Sequence, residues 1–131
     1  MTADALLAEI LRRADFIFAG WNVLLITGVA LVAVVGAVPS LRQDVRLSRL
    51  LMATFAFFAL THLLGMLHVV KQWASLTDAL AWKIKDDPTL AERIDFAVMA
   101  PHISWIVPFH FAFDLLVLGG VAWLSRRRNG G

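Results

Sequence analysis

Residues 102–124 read HISWIVPFHFAFDLLVLGGVAWL. An apolar run of this length crosses the roughly 30 Å hydrocarbon core of a bilayer, which takes about 20 helical residues. Within it sit one carboxylate, Asp114, and one imidazole, His110, four positions earlier. Ionisable groups are costly at bilayer depth and face a protein interior or a wet cavity, so each marks a candidate functional site. The run is followed by Arg126-Arg127-Arg128, a basic stop.

Two further runs have the same character. Phe16 to Val38 is ended by Pro39, and Leu50 to Val70 is ended by Lys71. No water satisfies a backbone at that depth, so all three spans must be helices. The fold expected is all-α, an integral membrane bundle of three transmembrane helices, 16–38, 50–70 and 102–124. The whole chain forms one membrane domain, with an interfacial segment 1–15 and a basic tail 125–131. Leu6, Leu7, Ile10 and Leu11 suggest a short helix in that first segment.

Composition agrees. The chain has 131 residues, is 60% hydrophobic and has a mean hydropathy of +0.74. A net charge of +2 with scattered basic residues leaves no nucleic-acid footprint. The absence of cysteine excludes disulfides, thiolate metal sites and covalent c-type haem attachment. There is no phosphate loop, no nucleophile–base–acid set and no HExxH, so no catalytic residue is identified, and the sequence leans away from an enzyme without deciding the question.

The link between the second and third spans has helical periodicity. Trp73, Leu76, Leu80 and Ile84 recur on one face, and Leu90, Ile94 and Val98 on another. Asp87-Pro88 reads as an N-cap followed by proline at the first helical position. Residues 72–100 are therefore expected to extend the second and third helices into a juxtamembrane hairpin turning at Asp86-Asp87. The alternative is one helix lying flat, with Trp73 and Trp82 at headgroup level.

Arginines orient the chain. Arg42, Arg46 and Arg49 crowd the short link after the first span, and Arg126, Arg127 and Arg128 fill the tail. Short basic loops carry the positive-inside signal, which places the amino terminus outside and the carboxyl terminus in the cytoplasm of a bacterial-type inner membrane. Arg12-Arg13 argues the other way.

Depths follow from a rise of about 1.5 Å per residue, counted from the arginine end. Asp114 falls at about 18 Å, His62 at about 20 Å and His110 at about 24 Å. His110 and Asp114 share a helix face, so the carboxylate can hold one imidazole nitrogen. His62, His110 and Asp114 are the candidate ion or proton site. Asn22, Thr27, His68, His102 and Ser104 lie further out as a secondary polar path. Pro101 and Pro108 free carbonyls about a turn earlier, that of Ser104 among them.

Thr54, Thr61, His68 and Ser75 repeat every seventh residue, with Gly65 and Gln72 on the same stripe. Thr61 and Gly65, with Ala112, Gly119 and Gly120 on the third span, are the expected close-packing residues. His62 with Met66 is a weak candidate for a soft metal ion such as Cu(I). No cofactor is the first expectation, and histidines on two helices at similar depth leave a b-type haem as the alternative. In helix count and length the chain resembles the three-helix membrane anchors of succinate dehydrogenase, and that resemblance implies haem-ligating histidines or a quinone site.

Three functions stay open. The first is a proton- or cation-linked membrane protein (channel, transporter or sensor) within a homo-oligomer or larger complex. The second is an accessory subunit docking through the hairpin. The third is a haem- or quinone-binding anchor.

Overall fold

The structure, a computed structural model, describes residues 2–85 and 103–126; the side chains of 103 and 104 lie outside the description. Among the described residues there are four helices: α1 (Ala3–Ala37), α2 (Pro39–Gln43), α3 (Val45–Ile84) and α4 (Ile103–Arg126). No strand occurs among the described residues, so the protein is an all-α three-helix bundle with a short connecting turn of helix. Three of its helices are long and apolar enough to cross a membrane.

Local chemistry explains the breaks. Val38 precedes a proline and takes extended backbone angles, φ −101° and ψ 105°, as the proline ring requires of its predecessor. Pro39 then opens α2 where its missing N–H costs nothing. Asp44 caps α3: its Oδ1 accepts from the backbone N–H groups of Arg46 at 2.8 Å and Leu47 at 3.1 Å. Such a cap contributes about 1 kcal/mol. Asp44→Ala is therefore expected to lower stability by about 1 kcal/mol, read as a shifted midpoint in detergent unfolding, with no change at mid-membrane. α4 runs unbroken through Pro108.

Contacts along the bundle define its register. Trp21 packs beside His110, Gly28 faces Phe113 and Val117, and Gly36 faces Leu124. So α1 and α4 run parallel, and α3 lies antiparallel to both. Ser48 at the start of α3 meets Ser125 at the end of α4 across 2.7 Å. Ser125 donates to the Val121 carbonyl at 2.8 Å, so the Ser48 hydroxyl donates to Ser125. This part-buried bond ties the helix ends that carry Arg46, Arg49 and Arg126.

Two observations differ from the sequence reading. Residues 3–15 are not a separate interfacial helix, because α1 is continuous from Ala3. Its first turns, with Leu6 and Ile10 buried, pack into one cluster with Trp73, Leu80 and Ile84 of α3. At 35 and 40 residues, α1 and α3 reach about 52 and 60 Å, well past a hydrocarbon core. The helical extension of 72–84 is present, but its described partner is the amino-terminal part of α1. The rest of the expected hairpin, 86–100, lies outside the described residues, as do Pro101, His102, Arg127 and Arg128.

The packing seam also differs. Thr54, Thr61, Gly65, His68 and Ser75 all face outward. The Thr61 hydroxyl donates to carbonyls of its own helix, Phe57 at 3.0 Å and Phe58 at 2.8 Å. Among the described residues a Cβ on Gly65 or Gly119 would meet nothing within 4 Å, and Ala112 is exposed. Of the expected small contacts only Gly120 touches a neighbour, Val32 of α1, 3.6 Å from its would-be Cβ. The true seam of α3 is Phe55, Ala59, Leu63, Met66, Val70 and Trp73. The close approach is made instead at Gly28, where a Cβ would lie 2.7 Å from Phe113 and 2.8 Å from Val117.

Candidate functional site

The three central polar groups meet. His62 Nδ1 lies 3.1 Å from His110 Nε2, and His110 Nδ1 lies 2.7 Å from Asp114 Oδ2. The other nitrogen of His62, Nε2, is 2.9 Å from the Gly20 carbonyl. One hydrogen-bonded chain thus crosses the bundle from α1 through α3 to α4. The His110 side chain is 0% exposed and that of Asp114 14%.

Each link has a local cause. Four residues on one helix bring His110 and Asp114 together. His62 faces inward because the flanking Leu63 and Met66 are in the buried seam. Gly20 permits close approach of α1: a Cβ there would already be 3.2 Å from His62 Nε2. Rings enclose the chain. Trp21 lies 5.7 Å from His110, Phe58 5.8 Å from His62, and the two imidazoles 5.4 Å from each other, centroid to centroid.

Proton counting follows from donor chemistry. A carbonyl only accepts, so His62 Nε2 carries a hydrogen and donates to Gly20. With His62 neutral, its Nδ1 accepts from the Nε2–H of His110. The remaining contact takes one proton, on His110 Nδ1 beside a carboxylate or on Asp114 beside a neutral imidazole. Three bonds need three hydrogens, and one carboxylic acid with two imidazoles supplies three. The set carries no net charge, which suits its depth. Removing one proton sets two lone pairs against each other at some contact. The Oδ1 of Asp114, buried and without a hydrogen-bond partner among the described residues, can accept one more.

The other candidates are placed apart. Asn22 and Thr27 are exposed on α1. His68 is exposed and accepts from the Gln72 side-chain amide at 2.9 Å on its own helix. The Ser104 side chain and His102 lie outside the described residues. The polar path is not continuous among the described residues.

Metal and haem readings meet the same geometry. Met66 is buried beside the place of a Gly20 Cβ. Among the described residues no group of three or more His, Cys, Asp or Glu side chains is arranged to hold a metal ion. The facing nitrogens of His62 and His110 bond each other, so a porphyrin iron between them would have to break that bond and part α3 from α4. The donor set does not fit a haem in this packing.

Two site residues escaped the sequence reading, Gly20 and Trp21. Glycine in an apolar span at the depth of His62 was the available signal, since a missing side chain marks a close approach. Compared with family models, curated proteins and solved structures, the chain matches none.

Proposed function

We propose that this chain is the proton-linked component of a membrane assembly, with Asp114, His110 and His62 as a gated proton relay. The unbroken chain of bonds from Asp114 to Gly20 supports it. A proton enters at Oδ1 of Asp114, which has no hydrogen-bond partner among the described residues. It passes along the carboxylate to His110 and on to His62 as each bond switches its donor. There it stops, because a carbonyl cannot accept a proton for onward transfer. Release requires the His62 ring to turn its Nε2–H away from Gly20, so that ring is the gate.

Three helices are few for a complete path, so the working form is a homo-oligomer or a larger complex. The arginine-rich end tied by Ser48 and Ser125 lies on the cytoplasmic side of a bacterial-type inner membrane, with the amino terminus outside. The alternative is an accessory subunit that docks through the α1–α3 extension and keeps the histidine pair as a proton store.

Proteoliposomes with an internal pH dye and an imposed potential test the relay. Asp114→Asn is expected to lower proton flux on the order of 100-fold, the usual scale for losing a proton-transferring group. Unchanged, robust flux removes the site from the mechanism. A wild-type chain that moves no protons alone favours the accessory subunit.

A further inference from the structure

At rest the set of His62, His110 and Asp114 is neutral, but a proton in transit changes that. A proton on Oδ1 turns Asp114 into a neutral acid, and the shared hydrogen then stays on Nδ1 of His110. His110 keeps its Nε2–H as well, so it becomes an imidazolium. The carboxyl bonded to it at 2.7 Å no longer carries the opposing charge. One transfer later the Nε2–H of His110 has moved to Nδ1 of His62, 3.1 Å away, and the charge sits on that ring instead. Among the described residues no second carboxylate bonds either imidazole. α3 presents His62 to His110, α4 presents Asp114, and α1 presents Trp21, which does not titrate.

What remains to stabilise the charge is aromatic. An indole face is electrostatically negative and attracts a cation within about 6 Å of the ring centre, most strongly where water is excluded. The Trp21 ring lies 5.7 Å from the His110 ring, tilted by 50°. The His110 side chain is 0% exposed, so water does not screen the pair. Phe58 stands in the matching place beside His62, at 5.8 Å. Tryptophan is the stronger of these two faces. The two stations are therefore unequal, and the positive charge is favoured on His110. Phe109 meets Trp21 at 78° and 5.4 Å, an edge-to-face contact that orients the indole.

Resting on the relay reading, we infer that Trp21 is a positioning residue of the relay, whose indole face stabilises the imidazolium of His110 while a proton is in transit. Asp114 delivers the proton, and His110 holds it as a charge against Trp21. Charging a neutral set in an apolar setting is the uphill step, and Trp21 lowers it. An aliphatic side chain at this position keeps apolar packing and removes the face.

The test places mono-, di- and trifluorotryptophan in turn at position 21 of the full chain by site-specific incorporation. Fluorine withdraws charge from the ring face step by step at nearly constant shape, so packing is kept. In nanodiscs at acid pH, the ¹⁵N signals report how the imidazolium divides between His110 and His62. The ratio of His110 to His62 is expected to fall stepwise, on the order of tenfold over the series, the scale of a desolvated cation–π contact. Proton flux in proteoliposomes is expected to fall in the same order. Trp21→Phe is expected to lie between the unsubstituted chain and Trp21→Leu. A ratio indifferent to fluorination overturns the proposal, even if Trp21→Leu lowers flux, because the indole would then only pack. A pair that never charges at acid pH overturns it too. The ¹⁵N coupling of His62 and His110 across their shared hydrogen checks the relay separately. Coupling present with an indifferent ratio overturns only the role of Trp21; coupling absent from the unsubstituted chain overturns the relay and that role with it.

Discussion

His110→Leu is expected to abolish proton flux and to destabilise the bundle by about 3 kcal/mol, the scale for breaking a buried polar pair from one side. His110 is the middle link, bonded at 3.1 Å to His62 and at 2.7 Å to Asp114. Leucine nearly fills its volume, so the cost is not a cavity. It comes from stranding His62 Nδ1 and Asp114 Oδ2, the two atoms that His110 bonds. The triple variant His62→Leu, His110→Leu, Asp114→Leu removes every stranded group together. It is expected to regain most of the lost stability, because replacing a whole buried polar network by apolar groups of similar size is often neutral. Flux stays absent in both. Detergent-induced unfolding beside proteoliposome flux separates the two effects. A triple variant less stable than His110→Leu would mean that the relay is a structural clasp first.

Gly28→Leu is expected to cost about 3 kcal/mol and to part α1 from α4. Even a Cβ at this position would lie 2.7 Å from the Phe113 ring and 2.8 Å from a Val117 methyl. Phe113 is one residue from Asp114, and Val117 belongs to the buried cluster with Leu24, Phe55 and Ala59. Pushing α1 outward also lengthens the 2.9 Å bond from His62 to Gly20, so the gate should loosen. Gly65→Leu is the control. Nothing lies within 4 Å of its would-be Cβ, and the change is expected to stay within about 0.5 kcal/mol for the single chain. Thermal unfolding in detergent compares the pair. Equal losses at both positions would place α1 differently against α4. A changed oligomeric mass in Gly65→Leu alone would put the outward stripe of α3 at a contact between copies.

Some of this protein was written in its sequence. The three apolar runs, the break at Pro39 and the helical character of 72–84 follow from length, hydropathy and local backbone rules. The His110–Asp114 contact follows from four residues of spacing on one helix. The similar depth of His62 follows from counting residues. All of these lie along a single helix.

What crosses between helices did not follow from it. The Thr61 and Gly65 stripe reads as a seam and faces outward, while His62 and Met66 face in. Gly20 as the end of the relay, Trp21 as its cover and Gly28 as the close contact appear only when α1 is set against its neighbours. The pairing of residues 3–15 with the far end of α3 also depends on that packing. The physical reason is the solvent. In water a helix marks its inner face by apolar contrast, so periodicity reveals the core. In lipid both faces are apolar, and close packing, interhelical hydrogen bonds and small residues choose the rotation of each helix.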